Sequence, residues 1–319
     1  MFQIDPLMEI PMFIAALTAL ALSSHFTIKY VEKFIELTGL SEASVGFTVL
    51  AVLTSTPELA IALFSILQGT PGISVGDILG SNIFNFGFVL GVLGMLGYFK
   101  VCCTKLWIEL TDYLLIISLI PILLVLSYHH LLIEIPSFIV GILLLATFFY
   151  SIYQMSKQKT PRVSLNNLSN MRRKDIKIIL AKMILSIIFV VVAARVTASS
   201  GLTIAHMLGA PPILIGTKVI AIGTSLPELT LDLAAVRRGR IQLAIGDIIG
   251  SNLTNLTLVL GLVLIISPFT IDALIFAETL PFLLMTTVIF WCFLVKGGIP
   301  RKGGALLSIT YFLFQALVI

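Results

Sequence analysis

Charge is scarce in this chain. Only 11% of its 319 residues are Asp, Glu, Lys or Arg, against about 25% in a soluble domain, which excludes an ordinary water-soluble globule. Cysteine is rarer still: Cys102, Cys103 and Cys292 form neither a spaced metal motif nor a disulfide framework and read as apolar filler. The histidines, His25, His129, His130 and His206, are scattered and lie away from the polar segments described below. They form no His-Glu-x-x-His pair, which counts against an intramembrane hydrolase, and no nucleotide-binding loop supports ATP-driven pumping. No enzyme and no cofactor is therefore expected. A basic n-region is missing, since Asp5 and Glu9 occupy its place, so no cleavable signal peptide is expected. The formal charge of +4 implies no nucleic-acid partner, because the placement of the charges follows the membrane.

What the chain has in abundance is apolar surface: 58% hydrophobic residues and a mean hydropathy of +1.09. A spanning helix needs roughly 20 mostly apolar residues, and on that measure ten spans are expected near 8–34, 42–68, 72–98, 106–127, 131–154, 177–200, 211–236, 241–267, 271–295 and 302–319. The long polar segment 155–176 divides the chain into a first five-helix half, 1–154, and a second, 177–319. Basic residues near span ends belong in the cytoplasm. Lys157, Lys159, Arg162, Arg172, Arg173, Lys174 and Lys177 place the central loop inside, and both termini then lie outside. Lys29, Lys33, Lys100, Lys105, Arg237, Arg238, Arg240, Lys296, Arg301 and Lys302 fall inside too, while Arg195 and Lys218 lie off that side. The expected partners are a lipid bilayer, whose anionic headgroups the central loop can touch, and inorganic cations; the chain is read as a monomer in the cell membrane.

A stretch of the chain is written twice, 170 residues apart. Residues 46–92 and 216–262 are identical at 20 of 47 positions without gaps. The shared positions are mostly Gly, Pro, Ser, Thr, Asn, Asp and Glu. The first copy holds Thr54-Ser55-Thr56-Pro57-Glu58, Gly76-Asp77-Ile78-Leu79-Gly80-Ser81-Asn82 and Asn85. The second holds Thr224-Ser225-Leu226-Pro227-Glu228, Gly246-Asp247-Ile248-Ile249-Gly250-Ser251-Asn252 and Asn255. Each half has an odd number of spans, so the copies insert in opposite senses, with a site expected at midplane between them. A duplication kept for packing alone has no reason to retain paired Glu, Asp and Asn.

The residue types suit a hard cation. Pro57 and Pro227 cannot donate to the carbonyls of Leu53 and Gly223, which predicts kinks that leave backbone oxygens free beside Glu58 and Glu228. Those oxygens, the hydroxyls of Thr54, Ser55, Thr224 and Ser225, and the two carboxylates make an all-oxygen set of the kind Na⁺ and Ca²⁺ take. Asp77, Ser81 and Asn85 fall at i, i+4 and i+8, one stripe down a helix; Asp247, Ser251 and Asn255 repeat it. Gly76 with Gly80, and Gly246 with Gly250, have the small-xxx-small spacing that lets helices approach. The expected architecture is thus an all-α polytopic membrane protein, two inverted five-helix repeats with kinked helices 2, 3, 7 and 8 around a central ion site.

These motifs resemble the alpha repeats of the sodium/calcium exchanger family, in the calcium/cation antiporter superfamily. Gly223-Thr224-Ser225-Leu226-Pro227-Glu228 and Gly250-Ser251-Asn252 carry the likeness most closely, and the length, ten spans and central loop agree with prokaryotic members. The resemblance implies alternating access in which Ca²⁺ leaves the cytoplasm against inward Na⁺, or H⁺ in related branches. By position, it makes Glu58 and Glu228 the central Ca²⁺ ligands. Thr54, Ser55, Ser81, Asn85, Thr224, Ser225, Ser251 and Asn255 complete the Ca²⁺ and Na⁺ sites, with the carbonyls of Ala51 and Ala221 as further Na⁺ ligands.

The chain departs from the family in several places. Some sodium-coupled members have Asp at the position of Asn85 or Asn255; here both are Asn, which leaves two midplane carboxylates and makes H⁺ the alternative coupling ion. The proton-coupled branch reads Gly-Asn-x-x-Glu where this chain has Thr-Ser-Thr-Pro-Glu, which favours Na⁺. Asp77 and Asp247 replace a commoner Asn, and Lys218 stands where the first copy has Thr48. Asp77 and Lys218 are expected to pair as an external gate, or else Lys218 snorkels to the outer interface. Asp232 and Asp247 are expected to form an acidic inner vestibule, or else to pair with Arg237, Arg238 or Arg240. A passive cation channel is the remaining class, separated from an antiporter by needing no ion on the other side.

Overall fold

The computed structural model describes residues 6–67, 71–100, 105–121, 136–156, 171–207, 220–267 and 273–318, and among them there is no strand. A chain with so few charges satisfies its backbone in lipid by closing helices, because an unpaired amide in hydrocarbon costs several kcal/mol. The first half holds α1 (Pro6–Thr38), α2 (Glu42–Val45), α3 (Ala51–Thr54), α4 (Thr56–Leu67), α5 (Pro71–Ile83), α6 (Leu90–Met95), α7 (Lys105–Ser118) and α8 (Ser137–Ser156). The second holds α9 (Met171–Met207), α10 (Ile220–Thr224), α11 (Leu226–Arg237), α12 (Ile241–Thr254), α13 (Leu260–Ile266), α14 (Ala273–Val295) and α15 (Arg301–Leu317). Wide π-helical turns join α2 to α3 at Gly46–Leu50, α5 to α6 at Phe84–Val89, and α12 to α13 at Asn255–Val259.

Six stretches among the described residues are long and apolar enough to cross a membrane unaided: Ile10–Thr38, Glu42–Leu63, Ser74–Met95, Ser137–Met155, Asp175–Val196 and Ile241–Ile266. Thr279–Val295 is a shorter apolar helix. The helices follow the expected spans with shifted ends. Helix α1 runs to Thr38 rather than 34, and α9 starts at Met171, inside the basic segment, and continues to Met207. The end of the fourth span and the start of the fifth, the central loop from 157 to 170, and the start of the seventh span lie outside the described residues.

Burial sorts the helices into an interior and a shell. Ser74–Met95 and Ile241–Ile266 are 83% buried inside the protein, while Ile10–Thr38 and Ser137–Met155 are 24% and 28% buried. In lipid an outward apolar side chain costs nothing, so the outer helices expose Ile14, Leu22, Leu143, Phe149 and Phe189. Helices α1 and α9 pack chiefly on each other. The interior is crossed: α12 lies against α2, the π turn after it and α3, while α5 lies against α10. These are equivalent pairs in the two copies of the repeat.

Close approach at the crossings depends on glycines; Gly46 and Gly246 face each other's backbone where α12 meets α2 and its π turn, and Gly80 and Gly250 serve the Ala221 and Ala51 crossings. A Cβ on Gly250 falls 2.7 Å from the Ala51 Cβ and 2.8 Å from the Phe47 carbonyl oxygen; one on Gly80 falls 2.9 Å from the Ala221 Cβ. Gly80 and Gly250 are repeat equivalents, as are Ala221 and Ala51. Of the expected glycine pairs, Gly76 takes no part, having nothing within 4 Å of its Cβ position.

Candidate cation site

Both copies of the Thr-Ser-x-Pro-Glu segment break their helix, two residues before the proline. Helix α3 stops at Thr54 and α10 at Thr224; Ser55 and Ser225 sit between helices at φ/ψ −76°/9° and −91°/8°. Pro57 leaves the Leu53 carbonyl without its amide partner, but that oxygen is not free: the Thr56 hydroxyl donates to it at 2.7 Å. The second copy has Leu226 in place of Thr56, so the Gly223 carbonyl has no such hydroxyl beside it. The Ala51 carbonyl accepts from the Ser55 amide at 3.1 Å and the Thr54 hydroxyl at 3.2 Å. The Ala221 carbonyl accepts from the Ser225 amide at 3.3 Å and the Thr224 hydroxyl at 3.1 Å.

Across the interface each repeat reaches into the other. The Thr54 hydroxyl donates to Asp247 Oδ1 at 3.4 Å and the Thr224 hydroxyl to Asp77 Oδ1 at 3.1 Å. Thr54 corresponds to Thr224, and Asp77 to Asp247, so the two bonds are one contact made twice. Ser81 Oγ lies 3.2 Å from Thr224 Oγ1. The Ser225 hydroxyl donates to Glu58 Oε1 at 3.4 Å, and Asn85 Nδ2 donates to Ser251 Oγ at 3.3 Å. Two residues not picked out as ligands, Asn82 and Asn252, join the seam: Asn82 Nδ2 donates to the Asn252 carbonyl at 3.3 Å, and Asn255 Nδ2 to Asn82 Oδ1 at 3.3 Å. Their signal was present, since Gly-Ser-Asn recurs in both copies.

The site is closed off from the surface and rich in unused acceptors. Glu58, Glu228, Asp232 and Asp247 are fully buried, Asp77 is nearly so, and Thr54, Ser55, Ser81, Asn85, Thr224, Ser225, Ser251 and Asn255 are buried with them. Among the described residues, Ser55 Oγ, Glu58 Oε2, Asn85 Oδ1, both carboxylate oxygens of Glu228 and Asn255 Oδ1 have no hydrogen-bond partner. Buried polar atoms are nearly always paired, and an unpaired carboxylate in the membrane is costlier still. A hard cation resolves both problems, because it takes roughly six to eight oxygens at once. Among the described residues no three His, Cys, Asp or Glu side chains gather as a metal cluster, so such a cation relies on amide, hydroxyl and carbonyl oxygens beside the carboxylates. Asn85 lies within one π turn and Asn255 opens another; π turns recur at functional sites because the widened turn re-aims side chains and loosens backbone pairing.

The buried acids and the nearby arginines do not meet. Arg238 pairs with Glu32 at 2.8 Å, and Arg240 with Glu32 at 3.1 Å and Glu42 at 2.7 Å; Arg238 also contacts the His25 ring at 2.9 Å. Among the described residues no donor group reaches either Asp232 oxygen, whose neighbour is the Asp247 carboxyl, and Arg237 is exposed. The expected alternative, Asp232 paired with these arginines, is not what the structure has, because Glu32 and Glu42 on α1 and α2 take Arg238 and Arg240 instead. Nor do Asp232 and Asp247 line an open vestibule in this conformation, being fully buried. Lys218 lies outside the described residues, and with it the expected Asp77–Lys218 pair; Asp77 accepts from the Thr224 hydroxyl. Arg195 is on an exposed face of α9. Gly72-Ile73-Ser74-Val75-Gly76 has the spelling of a hydrolase elbow, but it lies inside helix α5, not on the strand-to-helix turn that exposes such a serine.

An all-helical membrane protein with crossed, duplicated breaks and buried oxygen ligands defines a transporter of cations. The chain belongs to the sodium/calcium exchanger family: residues 8–157 and 178–319 match the family model described as sodium/calcium exchanger protein. Sodium/calcium exchanger MaX1 of Methanosarcina acetivorans is 28% identical over 95% of this chain and 96% of its own length. Inner membrane protein YrbG of Escherichia coli is 29% identical over 88% of this chain and 87% of its own. In fold, the chain is similar to the sodium-calcium exchanger NCX_Mj in a structure soaked with 10 mM Na⁺ and zero Ca²⁺. The TM-score is 0.84 at 24% identity, covering 99% of this chain and 100% of that one. The protein is thus a multi-pass membrane antiporter of inorganic cations, not an enzyme.

Proposed function

We propose that this chain exchanges Ca²⁺ for Na⁺ by alternating access, with Glu58 and Glu228 as the central carboxylate ligands. The observation that carries the reading is the set of unpartnered buried oxygens on both repeats, joined by contacts that repeat under the 170-residue offset. Two carboxylates balance the charge of one Ca²⁺, and Ser55, Asn85 and Asn255 add neutral oxygens. The hydroxyls of Thr54, Thr224, Ser225, Ser81 and Ser251 and the carbonyls of Ala51 and Ala221 take part in the Ca²⁺ and Na⁺ sites as their present hydrogen bonds are exchanged for the ion. Sodium is favoured over protons because both copies read Thr-Ser-x-Pro-Glu. The division into halves 1–154 and 177–319 about a cytoplasmic 155–176 loop, with both termini outside, follows the basic residues. A monomer suffices, since both halves of the site come from one chain.

The test is Ca²⁺ uptake into proteoliposomes loaded with Na⁺, at a proton gradient, or with neither, using the native chain and Glu58→Gln with Glu228→Gln. Uptake driven by internal Na⁺ and lost in the double variant is the expected result. Uptake driven only by protons would replace Na⁺ with H⁺, and uptake needing no partner ion would replace the antiporter with a channel.

A further inference from the structure

The two repeats are not equivalent where they leave the central site. Position 62 in the first copy is Ala, buried in apolar packing, while its equivalent in the second is Asp232, buried just as completely. Asp232 stands one helical turn beyond Glu228 on α11, so both side chains share a face of that helix. From α12, which packs on α11, Asp247 is its electrostatic neighbour. The two carboxyls face each other; among the described residues no hydroxyl, amide or cation donates to either Asp232 oxygen or to Asp247 Oδ2, while Asp247 Oδ1 takes the Thr54 hydroxyl. The arginines two turns further on are held by Glu32 and Glu42, so among the described residues no side-chain cation offsets these acids. Two adjacent carboxylates in a membrane interior repel each other and cost several kcal/mol each to desolvate. An apolar residue at 232 would avoid that, as Ala62 does in the other repeat.

We propose that Asp232 and Asp247, with the Thr54 hydroxyl, form a second divalent-cation site, set between the central Glu58–Glu228 site and the Arg237–Arg240 turn. The paired carboxylates match a double positive charge, and their oxygens suit Ca²⁺. Among the described residues the opposite flank offers Asp77 with Thr224, one carboxylate in place of two. The second site is where the cation pauses on one side of the membrane only. Its place on the transport path rests on the exchanger reading above; its existence does not.

The experiment is equilibrium binding of radiolabelled Ca²⁺ to the purified full-length chain in Na⁺-free buffer. In the Glu58→Gln, Glu228→Gln chain, one saturable Ca²⁺ per chain is expected to remain. Adding Asp232→Asn and Asp247→Asn should remove it, with retention on size exclusion and the melting temperature reporting that the chain is still folded. Asp232→Ala, which installs the residue the first repeat carries, supplies a second variant and should lower Ca²⁺ affinity at that site by at least tenfold. No binding in the Glu58→Gln, Glu228→Gln chain, or binding that survives both aspartate changes, overturns the proposal. Either result leaves the exchange reading to the uptake assay, which needs only the native chain and its ion gradients.

Discussion

At the scale of single residues the polar repeat was the most legible part of the chain. Glu58, Glu228, Asn85 and Asn255 stand out in sequence because apolar filler varies around them while they recur, and the structure gathers both copies into one seam. Partners from unrelated segments were not legible: nothing in the sequence around Glu32 says that Arg238, 206 residues away, is its partner. The seam also separates charge from hydrogen bonding at its aspartates. Asp77→Asn keeps an acceptor for the Thr224 hydroxyl but removes the charge, whereas Asp77→Ala removes both. Asp77→Asn is therefore expected to fold like the native chain and to weaken Ca²⁺ affinity on the Asp77 side several-fold. Asp77→Ala should also lower the melting temperature, since an orphaned buried hydroxyl costs about 1–3 kcal/mol. Equal uptake affinities for native and Asp77→Asn would remove Asp77 from the path. Asn255→Asp adds a third carboxylate to the central set, and more negative charge there favours crowding by monovalent ions. Sodium should then displace bound Ca²⁺ at lower concentration than in the native chain, read as the Na⁺ midpoint of a Ca²⁺ displacement curve.

At the scale of elements, hydropathy placed the helices and could not place their breaks. Span positions follow from the length of apolar runs, which a bilayer requires. The π turns at Phe84–Val89 and Asn255–Val259 leave no mark on hydropathy, because one extra residue in a turn changes neither composition nor burial. The helix break was expected at Pro57 and Pro227 but falls at Ser55 and Ser225, because the prolines begin the next helices; Pro suits a first helical turn, where its missing N–H has no partner to lose. The crossings of α12 on α3 and α5 on α10 leave no room for a side chain at Gly250 or Gly80. Gly250→Val is expected to overpack against Ala51 and Phe47 and to destabilise the chain by about 1–3 kcal/mol. Gly76→Val sits on open space and loses only side-chain entropy, with no clash. A thermal-melt comparison in one detergent checks this: equal melting temperatures for the two variants would mean that the crossing is looser than described.

At the scale of the whole molecule, the question is which way the two halves face the membrane. The contacts on the Arg237–Arg240 turn tie it to α1 and to the start of α2 through Glu32 and Glu42. These side chains are 18–32% exposed, so the ties are screened and together worth on the order of 1 kcal/mol. Glu42 and Glu32 hold the Arg240 guanidinium further into its charged form, so it stays a cation across the working pH range. A turn that carries three arginines cannot easily cross a bilayer, and the bias of basic loops predicts it on the cytoplasmic face together with Lys100, Lys296 and Arg301. Impermeant maleimide labelling in intact cells settles this, in a chain whose Cys102, Cys103 and Cys292 are replaced by Ser. Ser164→Cys, in the basic 155–176 segment, is expected to label only after the membrane is opened, and Thr270→Cys, in a connection without Lys or Arg, to label from outside. The reverse pattern would invert the protein and put the Asp232–Asp247 pair on the outer flank of the site, where the same two carboxylates would meet Ca²⁺ as it leaves and not as it enters.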